Sequence, residues 1–180
     1  MPGKGWILEE LAERIAANRS FAFLLYDIDR FKSVVDVYGW DRAGEFLRVL
    51  ADSLTAAGFD AGPPRPKLAH IGGDDFLVLC EPDQMLKIAR HSVTSFEQAA
   101  DRLYDPEDLR RGYINVPDRR RNLHRAALVT LSVGAVISAL EEGRIKSVAE
   151  AIHAVSEMKK VAKGQPGSYV AIDRRKVSDG

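Results

Sequence analysis

An α/β fold, a β-sheet covered by helices, is predicted by three observations on this sequence. "FAFLLYDI" (21–28) and "AALVTLSVGAVIS" (126–138) are short, continuously apolar runs of the kind that form strands buried on both faces. Several longer segments around them carry apolar residues at helical spacing. "LAHIGGDDFLVLC" (68–80) places Gly-Gly-Asp-Asp between two apolar runs, so only a tight turn can join them and the strands must be antiparallel.

Taken in order, Ile7, Leu8, Leu11, Ile15 and Ala16 predict an amphipathic helix over 5–18, ending near Asn18. The strand at 21–28 follows. "DRFKSVVDVYG" reads as a short helix stopped by Gly39, and "WDRAGEFLRVLADSLTAAG" as a longer one stopped by Gly58. "FDAGPPRPK" is a loop, and the hairpin centred on Gly72 and Gly73 comes next. "DQMLKIARHSVTSFEQAADRLY" predicts a helix, with a break expected near Ser92 to Thr94. Residues 105–125 read as a loop or hairpin excursion around the β-like "YINV". The strand at 126–138, a helix from Ser147 to Lys163, a turn at "GQPG" and a last strand "SYVAID" complete the chain. The whole is one domain over 1–180, with its core in 21–173 and no internal repeat.

The composition narrows the function. Lysine and arginine number 26 and aspartate and glutamate also 26, so no global field draws the protein to nucleic acid or an anionic membrane. Phosphate binding, if present, has to be local. Cys80, the single cysteine, can form neither an intrachain disulfide nor a cysteine-rich zinc site, which fits a reducing cytoplasmic setting. No apolar run approaches the roughly 20 residues needed to span a bilayer.

Chemistry concentrates in the acidic residues. Asp27 and Asp29 end the first strand, and Asp74 and Asp75 lie at the hairpin tip. If the hairpin packs beside that strand, these carboxylates converge. Clustered carboxylates repel one another unless a cation sits among them, and hard oxygen ligands favour Mg²⁺ or Mn²⁺. Glycine and aspartate are also ordinary turn residues, so the tetrapeptide alone is equally well explained by a β-turn. "YDID" at the end of a second strand has no such explanation.

At four separated places the sequence resembles GGDEF domains, the catalytic modules of diguanylate cyclases. "IGGDDF" (71–76) matches their signature hairpin with one change, and "YDIDRFKSVVDVYGWDRAGEFLRVLADSL" aligns without gaps on their upstream motif. "LVTLSVGAV" and "EMKKVAKGQPGSYV" resemble the Ser-x-Gly strand and the closing helix. The resemblance implies a ferredoxin-like or polymerase-palm-like fold with a mostly antiparallel sheet. It also implies condensation of two GTP molecules to cyclic di-GMP and pyrophosphate by a transient homodimer, with Mg²⁺ or Mn²⁺ as cofactor and sensory or effector domains as neighbours. By position, Asp27, the Ile28 carbonyl, Asp74 and Asp75 would hold metal, with Asp74 and Asp75 as the catalytic acids. Phe31, Lys32, Gly72, Gly73 and Lys163 would bind the nucleotide, the glycines letting the backbone approach the phosphates.

The departures from the family pattern are equally specific. The guanine-reading asparagine falls on Val35 and the guanine-reading aspartate on Gly44, and neither side chain can hydrogen-bond a base. Losing two such contacts costs on the order of 2–4 kcal/mol, roughly 30- to 1000-fold in affinity. A one-residue insertion would instead place Glu45 on the acid. Trp40 stands where histidine is usual, Asp75 replaces glutamate, and the closing Gly-Arg-Asn is absent. "PPRPKLAH" lacks the Arg-x-x-Asp of the product-inhibition site, so feedback there is not expected. Three readings follow: a signalling domain with weak or lost cyclase activity, an inactive partner-binding domain using Arg119, Arg120, Arg121 and Arg125, or a competent cyclase that reads guanine through other residues.

Overall fold

The computed structural model describes residues 3–118, 122–138 and 145–173. Its core is a five-stranded sheet whose middle strand, β1 (Phe21–Asp29), pairs antiparallel with β3 (Asp75–Cys80) on one side and with β6 (Thr130–Ser138) on the other. β2 (Lys67–Gly72) extends the sheet beyond β3, and β7 (Tyr169–Asp173) pairs parallel with β6, giving the order β2-β3-β1-β6-β7. The predicted mostly antiparallel sheet covered by helices is what the chain forms.

β1 is apolar without alternation because both of its faces are covered. Leu24, Tyr26 and Ile28 pack beneath α2 (Phe31–Ala61) and α3 (Met85–Ala100). Phe21, Phe23 and Leu25 pack beneath α1 (Lys4–Ala16) and α5 (Val148–Lys163). The two-residue side-chain period therefore puts Asp27 on the α5 face of the sheet.

Gly39 breaks helical geometry inside α2 with φ of 79° and ψ of 173°, as expected of a stop, and a second helical run begins directly beyond it. Gly58 stops nothing: α2 continues to Ala61, and the chain leaves through Gly62 at φ 89°. A Cβ on Gly58 would lie 2.7 Å from Pro66 Cγ, so this glycine serves close packing of the loop against the helix. No break occurs at Ser92 to Thr94 either. Ser92 is buried, its Oγ 3.1 Å from both the Tyr26 hydroxyl and the Ala89 carbonyl oxygen, which satisfies the group inside the helix.

The excursion is ordered over its described part. A short α4 (Pro106–Arg111) leads into the hairpin β4 (Tyr113–Pro117) and β5 (Leu123–Ala127), so Ala126 and Ala127 belong to this hairpin and the following strand starts only at Thr130. Buried Asp108 accepts hydrogen bonds from the Tyr38 hydroxyl and the Arg111 guanidinium, while Arg42 pairs with Asp105 at 2.7 Å. These contacts fasten the excursion to α2. Arg119, Arg120 and Arg121 lie outside the described residues. Among the described residues no helix is long and apolar enough to cross a membrane.

Candidate functional site

The hairpin delivers its carboxylates through a two-residue turn, Gly73-Asp74, closed by the pair Gly72 and Asp75. Gly72 and Gly73 have φ of 110° and 59°, which only glycine adopts without strain, and a Cβ on either would meet no protein atom within 4 Å. The backbone on this side of the turn is thus open. The register then sets Asp75 directly opposite Asp27, and both side chains point to the α5 face.

What meets them there is α5. Ser147 caps the helix by accepting from the Glu150 amide at 3.1 Å. Along its length the helix lies so close to β6 that a Cβ on Gly134 would fall 2.2 Å from the Val155 carbonyl oxygen and 2.5 Å from the Lys159 amide nitrogen. That approach brings the Lys159 ammonium to 2.7 Å from Asp75 Oδ1 and 3.1 Å from Asp27 Oδ2, with Lys163 2.6 Å from Asp27 Oδ1. Burial penalises the Lys159 ammonium, but Asp75 and Asp27 outweigh it and hold the lysine charged above its ordinary range.

Asp29, the other acid of the first strand, is engaged elsewhere: it accepts hydrogen bonds from Thr130 and Ser132 at 2.8 Å each. Asp74 stays at the tip. Burial, and then the charge of Asp27, push its carboxyl above the usual carboxylate range. Among the described residues no three acidic, histidine or cysteine side chains gather into a metal cage. The corner nevertheless calls for positive charge. Asp27 Oδ1 is buried without a hydrogen-bond partner, in ion-pair contact with Lys163.

On the other side of the tip lies a cavity of about 600 Å³. Phe31, Val35, Trp40 and Leu47 form its apolar wall, while Lys32, Asp36, His70, Gly73 and Asp74 supply its polar rim. His70 stacks on Phe76 with ring centroids 4.5 Å apart, and its Nε2 is 2.9 Å from the Gly73 carbonyl oxygen. The Lys32 ammonium at the mouth is paired with Asp36 at 2.5 Å. No side chain caps the start of α2, which opens beside the cavity at Phe31 and Lys32. Gly44 does not line the cavity, and Glu45 pairs with Arg48.

The structure thus brings Asp27, Asp75 and Lys163 together at one corner, with Phe31, Lys32, Gly73, Asp74 and Val35 around the adjoining cavity. Sequence reasoning missed Lys159, His70 and Leu47. For Lys159 a signal was available, because a lysine four residues from Val155 and four from Lys163 interrupts the buried stripe of an amphipathic helix.

The fold has known counterparts. The profile of the family described as diguanylate cyclase, GGDEF domain, matches residues 4–165. The chain belongs to the GGDEF family. Its fold is similar to that of the GGDEF domain of YfiN (TpbB) from Pseudomonas aeruginosa, with a TM-score of 0.67 at 18% identity over 96% of this chain and 90% of that one. The GGDEF domain of DgcB from Caulobacter crescentus, solved in complex with c-di-GMP, matches at 0.61 and 17% over 96% and 91%. The active GGEEF domain of a diguanylate cyclase from Vibrio cholerae matches at 0.58 and 17% over 96% and 94%. At these identities the likeness is one of fold. No curated protein matches this GGDEF domain in sequence.

Proposed function

We propose that this GGDEF domain binds a nucleoside triphosphate without reading guanine, and that it forms cyclic di-GMP weakly or not at all. The observation that carries the reading is the cavity wall, where Val35 and Leu47 offer apolar surface and no hydrogen-bond partner for a base edge, and the one donor is the indole N–H of Trp40. Such a wall accepts any purine by burial and stacking, with Trp40, 73% exposed, as the flat surface. Discrimination between bases requires polar groups left buried and unpaired by the wrong one, and the wall's one donor, the indole N–H of exposed Trp40, reaches water whichever base is bound.

The phosphate end is better equipped. The first-turn amides of α2 and the open backbone at Gly72 and Gly73 point to anion binding, and Lys163 and Lys32 supply charge. Asp27, the Ile28 carbonyl and Asp74 would hold Mg²⁺ or Mn²⁺, which would activate a ribose hydroxyl and neutralise the leaving pyrophosphate. Asp75 would join them, and because Lys159 pairs with both Asp27 and Asp75, its ammonium would have to yield for a metal to take either carboxylate. Condensation needs two such domains facing each other, each with its nucleotide correctly turned, and a base that is not held is poorly oriented for attack.

The test is incubation with GTP and Mg²⁺ or Mn²⁺, chromatography for cyclic di-GMP, and calorimetric titration with GTP and ATP. Binding of both nucleotides with little or no product is expected. Rapid formation of cyclic di-GMP contradicts the reading, and no binding of any nucleotide favours a domain that acts only through partners.

A further inference from the structure

We propose that Lys159 is a built-in cation of the carboxylate corner: its ammonium substitutes for a divalent ion between Asp27 and Asp75, and a free metal ion has to compete with it. The inference rests on the placement of a cation corner in the proposed function, and it adds how that corner is regulated.

The need for a cation follows from the register. Asp27 and Asp75 are directly opposed on neighbouring antiparallel strands, where like charges destabilise the pair. Asp27 has only 7% of its side chain exposed and Asp75 32%, so water screens them poorly. A free divalent ion is one remedy and a lysine is another. Lys159 has 17% of its side chain exposed and contacts one oxygen of each carboxylate, at 3.1 Å and 2.7 Å. A surface lysine would keep its ammonium in water, whereas this one is drawn inward.

Backbone geometry holds the substituting ammonium in place. Gly134 lets α5 settle on β6 at the level of the Lys159 amide nitrogen, so the lysine is anchored directly above the pair. Lys163, one turn later on the same helix face, meets the remaining Asp27 oxygen at 2.6 Å. Asp74 is the one carboxylate of the tip to which neither ammonium makes an ion pair. Metal recruitment is therefore expected to depend on Asp74 and on the phosphates a nucleotide brings, and to be weak without them.

The experiment measures Mn²⁺ binding by electron paramagnetic resonance to the nucleotide-free protein, as wild type, Lys159→Met and Lys159→Met/Asp75→Asn, with thermal melting of each in chelator and in millimolar Mn²⁺. Lys159→Met should bind Mn²⁺ on the order of tenfold more tightly than wild type. Mn²⁺ should raise its melting temperature while leaving that of the wild type nearly unchanged, and adding Asp75→Asn should remove the gain. Equal Mn²⁺ affinity in wild type and Lys159→Met overturns the proposal, as does a Lys159→Met protein that fails to fold with Mn²⁺ as well as without it. No nucleotide is present, so failure of GTP and ATP to bind would sink the proposed function and leave this comparison standing.

Discussion

Asp27 and Asp75 face each other across two adjacent antiparallel strands, and a lysine from the opposite layer of the fold, Lys159, bridges them. Phe23 and Leu25, on the same face of β1, are buried in the apolar layer under α1 and α5. The charged corner is thus an extension of the hydrophobic core, and its geometry is as fixed as the packing around it.

Gly134 controls that geometry. Its replacement by alanine would drive a methyl group into the α5 backbone, 2.2 Å from the Val155 carbonyl oxygen. Overpacking of this kind costs about 1–3 kcal/mol, and a domain of this size loses roughly 2–4 °C of melting temperature per kcal/mol. Differential scanning calorimetry of Gly134→Ala should show a drop of several degrees, and an unchanged transition would mean that α5 does not lie so close.

Asp74 carries a stability cost that depends on pH. Its folded carboxyl is held above the usual range by burial and by the Asp27 charge, so the native state binds its proton more tightly than the unfolded chain. The ionised form therefore costs stability at neutral pH, and the cost fades as pH falls through the folded value to below the ordinary carboxylate range. Asp74→Asn, melted in chelator, should be more stable than wild type at pH 7, and the advantage should vanish in acid. An advantage that persists or grows in acid contradicts this assignment.

The base wall can be tested by restoring polarity to it. Val35 lines the cavity and is the wall position where the family pattern has asparagine. Val35→Asn should acquire a preference for GTP over ATP on the order of several-fold in competition binding. A variant that still fails to distinguish the two purines would show that the base does not sit against α2.

One buried carboxylate joins Ile114 and Val116 in holding the excursion to the core. Asp108 is 7% exposed and accepts from both Tyr38 and Arg111. Asp108→Ala leaves the Tyr38 hydroxyl without its acceptor and Arg111 with only the Tyr113 carbonyl and Glu107, and should cost about 1–3 kcal/mol in urea denaturation. It should also open the β4–β5 hairpin to limited proteolysis before the core unfolds. Cleavage no faster than in wild type would indicate that other contacts, such as Arg42 with Asp105, hold the excursion.

The sequence was most legible where one local rule acted alone. Continuous apolar runs identified β1 and β6 because burial on both faces removes alternation, and Gly72 with Gly73 located the hairpin because a two-residue turn needs positive φ. Gly58 misled because a glycine after a helical stretch signals both termination and close packing, and only the position of Pro66 decides between them. The order of the excursion was hidden because its anchors, Tyr38 and Asp108, are 70 residues apart. At the site, Asp27 and Asp75 were expected to converge and do so. The cation between them went unseen although Lys159 interrupts the buried stripe of α5, because the carboxylates it meets are 84 and 132 residues away in sequence.

The measurement that bears most directly on the account is the pair of calorimetric titrations of the wild-type domain with GTP and with ATP in the presence of Mg²⁺. The apolar wall predicts dissociation constants within a few-fold of each other, since burial and phosphate contacts are shared by both. A preference for GTP of a hundredfold or more would mean that guanine is read by a polar group, and would contradict the account at its centre.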